Sequence, residues 1–147
     1  MATIARGPLT VDASVFVRAA IPGEHGSEES ARFIAALAHS RRPVFLPTLV
    51  KPEVAGALIR GLRDPRAARV VLQAIEGLAD TVFVPLDATL AEETAELALQ
   101  TALRGSDAVY AATARRFDAI LVTLDAQQRD RLPADITVCS PAEFLEG

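Results

Sequence analysis

The sequence predicts an α/β fold with a mostly parallel sheet of about five strands, flanked by helices on both faces. Short apolar runs alternate along the chain with segments whose apolar residues recur at helical spacing, and this alternation is typical of parallel sheets. Two apolar runs lead directly into an aspartate, at Asp12 and at Asp125. With 147 residues, half of them apolar, the chain can bury the core of one domain, which we place at residues 1–147.

The first half of the chain predicts two strands and four helices. The strands are Leu9–Asp12 and the proline-bounded run Pro43–Pro47. A short helix follows the first strand from Ser14, and after a Pro-Gly loop Ser27 begins a helix that has two acidic residues at its positive end. Apolar residues at helical spacing indicate a third helix around Glu53 and a fourth after the Asp-Pro pair at positions 64 and 65.

The second half predicts three further strands, two longer helices and a terminal helical turn. The strands are Thr81–Leu86, Ala119–Leu124 and Ile136–Cys139, and the helical segments are Ala91–Leu103, Asp107–Arg116 and Ser140–Leu145. Ser106 is the expected cap of the Asp107 helix, since a serine side chain can accept a hydrogen bond from the first turn.

Charge and composition bear on whether the protein binds nucleic acid. The net charge is −4, which disfavours non-specific binding of nucleic acid through the overall field. Of the 15 basic residues only Lys51 is a lysine. Arginine is suited to bidentate contact with phosphate, although a GC-rich genome would also favour it, and both explanations stay open.

The chain has the features expected of a cytoplasmic protein. No apolar run approaches the roughly 20 residues that span a bilayer, and we see no secretory leader before the first strand. Cys139 is the single cysteine, which excludes an intramolecular disulfide and fits a reducing compartment. We expect it to be a buried apolar side chain.

Four acidic residues stand in places where a site could form. Asp12 and Asp125 end apolar strands, Asp107 begins a helix, and Glu53 lies in a helix with apolar neighbours on both sides. Each has a simpler explanation when taken alone: the two strand-end aspartates could cap the next helix, Asp107 could compensate a helix dipole, and Glu53 could be solvated. If the four converge, they form a hard, oxygen-lined site for Mg²⁺ or Mn²⁺.

Other catalytic chemistries lack their residues. His25 and His39 fall in a loop and near a helix end, so we expect both at the surface, and no histidine suits a Ser-His-Asp arrangement. No glycine-rich phosphate loop is present. A receiver-like signalling domain would need a second acid beside Asp12 and a late lysine, and a haloacid dehalogenase would need an aspartate where Ser14 stands.

Taken together, the acidic segments resemble the PIN-domain nucleases, and particularly the VapC-type toxin ribonucleases. The matching segments are Val11–Ser14, Pro52–Leu58, Arg104–Ala114 and Leu121–Asp125, and the third of them is the most specific. The resemblance extends over nearly the whole chain, with the segments in the family's order.

The resemblance implies an endoribonuclease that depends on Mg²⁺ or Mn²⁺, is usually a homodimer, and is often silenced by a cognate antitoxin. Asp12, Glu53, Asp107 and Asp125 fall on the family's acidic positions. In that scheme the three aspartates hold the metal, and Glu53 is a further ligand or orients the attacking water. Ser14 and Thr123 fall on positions where a hydroxyl supports the metal ligands.

The chain departs from the family at two places. The family often has a hydrophobic residue shortly after the last aspartate, whereas this chain has Gln127-Gln128-Arg129. Pro52 also stands directly before Glu53, so we expect the helix to start late or to kink there.

Two further expectations concern RNA. Four arginines spaced three apart could line an RNA path to the site or could form a solvated helix face; they are Arg60, Arg63, Arg66 and Arg69. The alternative function is an inactive PIN-like module that binds RNA or protein without cutting it.

Overall fold

The computed structural model describes residues 6–147, which contain five strands and eight helices. The strands are β1 (Leu9–Val11), β2 (Val44–Pro47), β3 (Thr81–Val84), β4 (Ile120–Val122) and β5 (Val138–Cys139). They form one sheet in the order β3-β2-β1-β4-β5, and every neighbouring pair is parallel. The predicted α/β class and parallel five-stranded sheet are therefore confirmed.

Most of the helices begin at a side-chain cap. The helices are α1 (Ala13–Ala20), α2 (Ser27–Ser40), α3 (Val50–Leu62), α4 (Pro65–Glu76), α5 (Ala88–Thr101), α6 (Gly105–Arg116), α7 (Ala126–Arg131) and α8 (Pro141–Glu146). Five of them have an N-cap whose side chain accepts a hydrogen bond from the first turn; these caps are Asp12, Asp64, Asp87, Asp125 and Ser140. Each such bond pairs a backbone N–H that the helix itself cannot satisfy. In the 6–147 region no helix is both long and apolar enough to cross a membrane.

The helices form two packed groups. In one group α1 contacts α2 and α3, α2 contacts α8, and α3 contacts α4. In the other, α5 packs on α6, and α6 contacts β1, β2 and β4. The side chains of α6 are buried without a break from Ala108 to Ala114, and four of the seven are alanine. Small side chains let this helix lie close against the sheet, so its position is fixed by contacts all around it.

Three local expectations differ from the structure. The predicted late start of the Glu53 helix is wrong, because α3 begins at Val50 and Pro52 lies in its first turn, where a missing N–H leaves no gap in the hydrogen bonding. Ser106 is not the cap of α6; Arg104 is, with an extended backbone and no side-chain bond. Helix α7 was not predicted, since its six residues are too few to display a helical period.

We expect Ala111→Leu to destabilise the protein by about 1–3 kcal/mol, because Ala111 is fully buried in the helix that lies on the sheet and added methylenes would force shifts around it. Urea unfolding followed by circular dichroism measures the change. Ala95→Leu on the exposed side of α5 is the control and should change stability by less than about 0.5 kcal/mol. Equal stability of the two variants would contradict the close packing of α6.

Candidate metal and RNA site

The candidate site lies at the carboxyl ends of β1 and β4, which are neighbours at the centre of the sheet. The chain leaves β1 toward β2 on one side and later returns to β4 on the other, so this is the point where the strand order reverses. Ligands of open α/β sheets bind at such points. Val11 pairs with Val122, and the Asp12 N–H donates to the Val122 carbonyl oxygen at 2.9 Å, which places Asp12 beside Thr123.

Asp12 is a buried carboxylate held by three donors. Its Oδ2 accepts from the Ser14 N–H at 3.2 Å and from the Thr123 hydroxyl at 3.3 Å, and its Oδ1 accepts from Nε2 of Gln128 at 3.4 Å. Only 6% of the residue is exposed. Burial raises the pKa of Asp12, and the hydrogen bonds from Ser14, Gln128 and Thr123 oppose that rise.

Gln128 joins two of the predicted acidic residues. Its Nε2 donates to Asp12 Oδ1 at 3.4 Å and to Asp107 Oδ1 at 3.3 Å. The side chain is fully buried, and its Oε1 has no hydrogen-bond partner. We did not predict a role for Gln128; the one signal in the sequence was a glutamine pair where the family often has a hydrophobic residue.

Asp107 carries the clearest electrostatic signature of a shared site. It lies in the first turn of α6, and its pKa is raised to about 6. Burial is the largest cause, followed by the negative charges of Asp12, Asp125 and Glu53, while Arg104 acts in the opposite direction. Asp107 is therefore close enough to the other three predicted acids to feel their charges, which is the electrostatic pattern expected of a functional site.

Glu53 faces Tyr110 at the side of the site. Burial raises the pKa of Glu53, the Tyr110 hydroxyl lowers it, and the charge of Asp12 raises it further. The Tyr110 ring is buried, and burial together with the Glu53 carboxylate raises its pKa as well. Neither Glu53 Oε1 nor the Tyr110 hydroxyl has a hydrogen bond of standard geometry, so both buried atoms can accept another partner. Tyr110 lies in the matching segment Arg104–Ala114, but the sequence did not single it out as a site residue.

Asp125 caps a helix as well as approaching the site. Its Oδ1 accepts from the Gln127 N–H at 2.8 Å, and its own N–H donates to the Thr123 hydroxyl at 3.0 Å. The Ser14 hydroxyl accepts from the Leu124 N–H at 3.4 Å. The two predicted hydroxyl residues thus brace the loop between β4 and α7, and the capping explanation holds for Asp12 and Asp125 without excluding a second role.

The donor set suits a hard divalent cation, although the carboxylates are not drawn together into a formed cluster. Within residues 6–147 no three His, Cys, Asp or Glu side chains stand close enough to make up a metal site. The side chains that do approach one another offer carboxylate oxygens in a desolvated setting, and Glu53 Oε1 is buried without a partner. Oxygen donors of this kind are what Mg²⁺ and Mn²⁺ prefer, so the residues fit such an ion in chemistry.

A cleft of about 430 Å³ opens beside Glu53, which among the four acids is the one found in its described lining. Its lining includes Ser14, Glu53, Arg18 and Arg60, so two cations stand next to the acidic site. Arg18, which we did not predict, is held by an ion pair with Glu24 at 3.1 Å.

The four predicted arginines do not form one row. Arg60 lies in α3 and lines the cleft, whereas Arg63 ends that helix with a positive φ of 52° and Arg66 and Arg69 belong to α4. Of these four, Arg60 alone appears in the described lining of the cleft, and all four side chains are exposed. The turn at Arg63 separates residues that an unbroken helix would have placed on one face.

The two histidines and the cysteine lie where the sequence predicted them. His25 and His39 are exposed, and Cys139 is buried with its thiol pKa raised to about 11 by desolvation.

Known structures share this arrangement of elements. VapC20 of Mycobacterium tuberculosis, a sarcin-ricin loop cleaving toxin, is 21% identical with a TM-score of 0.68, and the match covers 88% of this chain and 98% of that one. PAE2754 of Pyrobaculum aerophilum is 22% identical with a TM-score of 0.70, covering 96% and 94%. FitAcB of Neisseria gonorrhoeae is 19% identical with a TM-score of 0.67, covering 91% and 98%. At identities this low, the structural agreement establishes a common fold and nothing more.

No curated protein matches the sequence significantly. A family model does, and it is the model of the PIN domain, which aligns with residues 9–131. That segment contains all four acids, the two hydroxyl residues that brace them, and Gln128. The match spans most of the sequence, and this chain therefore belongs to the PIN domain family.

Proposed function

We propose that the protein is an endoribonuclease that requires Mg²⁺ or Mn²⁺. The observation that carries the proposal is the approach of acidic residues at the switch point of the sheet: Asp12 and Asp107 share the Gln128 amide nitrogen, and Asp107 feels the charges of Asp12, Asp125 and Glu53. Hydrolysis of a phosphodiester needs an activated water and a neutralised leaving oxygen, and a bound divalent ion supplies both.

Each residue has a task in that reaction. Asp12, Asp107 and Asp125 would hold the ion, and the Ser14 and Thr123 hydroxyls keep the two strand ends in place around it. Glu53, with an unpartnered oxygen beside Tyr110, would orient the attacking water and accept its proton. Water would then form a bond to phosphorus while the bond to the ribose oxygen breaks, and the ribose oxygen would leave with a proton taken from solvent water. Arg60 and Arg18 border the cleft and would contact the RNA phosphates.

We further propose that this nuclease is the toxin of a toxin–antitoxin pair that acts in the cytoplasm. VapC20, which has the same fold, cleaves the sarcin-ricin loop, and other similar chains come from VapBC and FitAB complexes. The expected assembly is a homodimer bound to a cognate antitoxin. An antitoxin arginine could pair with the carboxylates in place of metal.

One observation favours the alternative of a non-cleaving module that binds RNA or protein. No three acidic side chains in the described part of the chain converge as closely as a formed metal site requires. Under this alternative the arginines that border the cleft would still bind RNA or protein, and replacing an acid would leave RNA binding unchanged.

Asp12→Asn and Asp107→Asn should each lower Mn²⁺-dependent cleavage of single-stranded RNA by roughly 100-fold or more, since even residues that only orient metal ligands contribute about 10–100-fold. Asparagine is an effective helix cap, so Asp12→Asn should stay folded. A gel assay with and without EDTA measures the loss. Glu92→Gln on the exposed face of α5 is the control and should keep full activity. Cleavage that persists in EDTA, or in either asparagine variant, would refute the nuclease proposal.

Asp107→Asn should also alter the pH dependence of stability. A carboxyl whose pKa is raised to about 6 stabilises the folded chain at low pH, and that contribution is lost as pH rises from about 4 through 6. The variant should therefore gain on wild type by roughly 2–4 °C in Tm between pH 4.5 and pH 7.5 in EDTA. Thermal melts at the two pH values measure the gain. A constant difference between the proteins would mean that Asp107 ionises normally.

Arg60→Gln should raise KM for RNA severalfold with little change in kcat, because Arg60 lies at the cleft but away from the reacting groups. It should also reduce the salt slope of RNA binding by about one unit. Steady-state cleavage and filter binding at several salt concentrations test this. Arg69→Gln, whose exposed side chain lies on α4, is the matched control. Equal effects of the two changes would favour a diffuse basic surface over a cleft.

A further inference from the structure

The Gln128 amide contacts two carboxylates of the site at once. Its nitrogen donates to Asp12 Oδ1 at 3.4 Å and to Asp107 Oδ1 at 3.3 Å. A primary amide nitrogen has two N–H groups, so a single Gln side chain can serve two acceptors at once. The two hydrogens bring partial positive charge to the point between the acids, without adding net charge to the site.

The burial of Gln128 indicates that its contact with the two carboxylates fixes the position of its side chain. The side chain is fully buried, and its amide oxygen has no partner. A buried polar atom without a hydrogen bond is unfavourable, and an apolar residue would fill the same space without that penalty. The compensation comes from the nitrogen end, which is the end that meets the two carboxylates.

We propose that the Gln128 amide is a positioning group that occupies the place of a divalent cation between Asp12 and Asp107, so that the amide and the cation compete. This inference rests on the proposed function, because it assumes that the two aspartates hold the ion. The amide nitrogen has no lone pair available for a cation, and its hydrogens repel one. An ion that bridges the two carboxylates must therefore displace the amide from them.

The geometry makes that displacement feasible. Both contacts are longer than the usual 2.9–3.0 Å of an N–H···O bond, so they hold the acids together weakly. The unpartnered amide oxygen means that no further bond must break when the side chain turns. Gln128 thus offsets part of the repulsion between the two acids until an ion arrives, at some cost to the affinity for that ion.

The proposal predicts that removing the amide strengthens metal binding. Gln128→Met keeps the length of the side chain and deletes both donors. Its Kd for Mn²⁺, measured on the full chain by electron paramagnetic resonance of the free ion, should be about fivefold lower than that of wild type, the equivalent of about 1 kcal/mol. In EDTA the variant should melt below wild type, and saturating Mn²⁺ should reduce that difference.

Gln127→Met is the matched control, since Gln127 is the exposed neighbour on α7 and its hydrogen bond to Asp125 comes from the backbone N–H, which methionine keeps. It should leave Mn²⁺ binding and both melts unchanged. If Gln128→Met does not fold, Gln128→Leu carries the same test with the same expected tightening. Mn²⁺ binding that is unchanged or weaker in the amide-free variant would contradict the competition between the amide and the ion. Equal destabilisation with and without Mn²⁺ would also contradict it, because it would show that the substitution affects packing alone. If wild type itself binds no Mn²⁺, the proposed function fails as well, and the two failures are thereby told apart.

Discussion

Burial of the Asp12 carboxylate is the constraint on which the rest of the site depends. A buried charge is tolerated only where hydrogen bonds replace water, and the three donors to Asp12 come from the start of α1, the end of β4 and the body of α7. The Thr123 donor lies 111 residues away in the sequence. The carboxylate therefore ties together elements that the chain itself brings in at widely separated points.

Burial also raises the free-energy cost of holding negative charges in this site. Asp107 sits on α6, whose alanine-rich inner surface fixes the helix against three strands, so its carboxyl cannot move far from the other acids. Burial, and after it the repulsion from the other acids, raises the pKa of Asp107, and perturbed groups of this kind are typical of functional sites. Gln128 relieves part of that repulsion with a neutral group, and the fold thus remains stable while keeping its charged residues in place.

Much of this arrangement could be predicted from the sequence, because the predictive signals are local. Apolar runs and helical spacing gave the parallel sheet and most of the helices, and an aspartate directly after a buried strand pointed to the end of the sheet. Gln128 and Tyr110 were missed as site residues because their partners are distant in the chain, and no periodicity reports such contacts. The relative placement of the four arginines could not be predicted for a different reason: one residue with positive φ, Arg63, turns the chain between Arg60 and the other two.

Asp12 and Asp125 each serve as the N-cap of a helix while also contributing charge to the site. Asparagine caps a helix about as well as aspartate but carries no charge. The genetic code separates the two residues by a single base, since GAT and GAC become AAT and AAC. A gene for this chain therefore lies one transition away from a product that keeps its fold, and with it any surface that a partner recognises, while losing a carboxylate. Such copies would persist as folded proteins that differ from the original in charge alone.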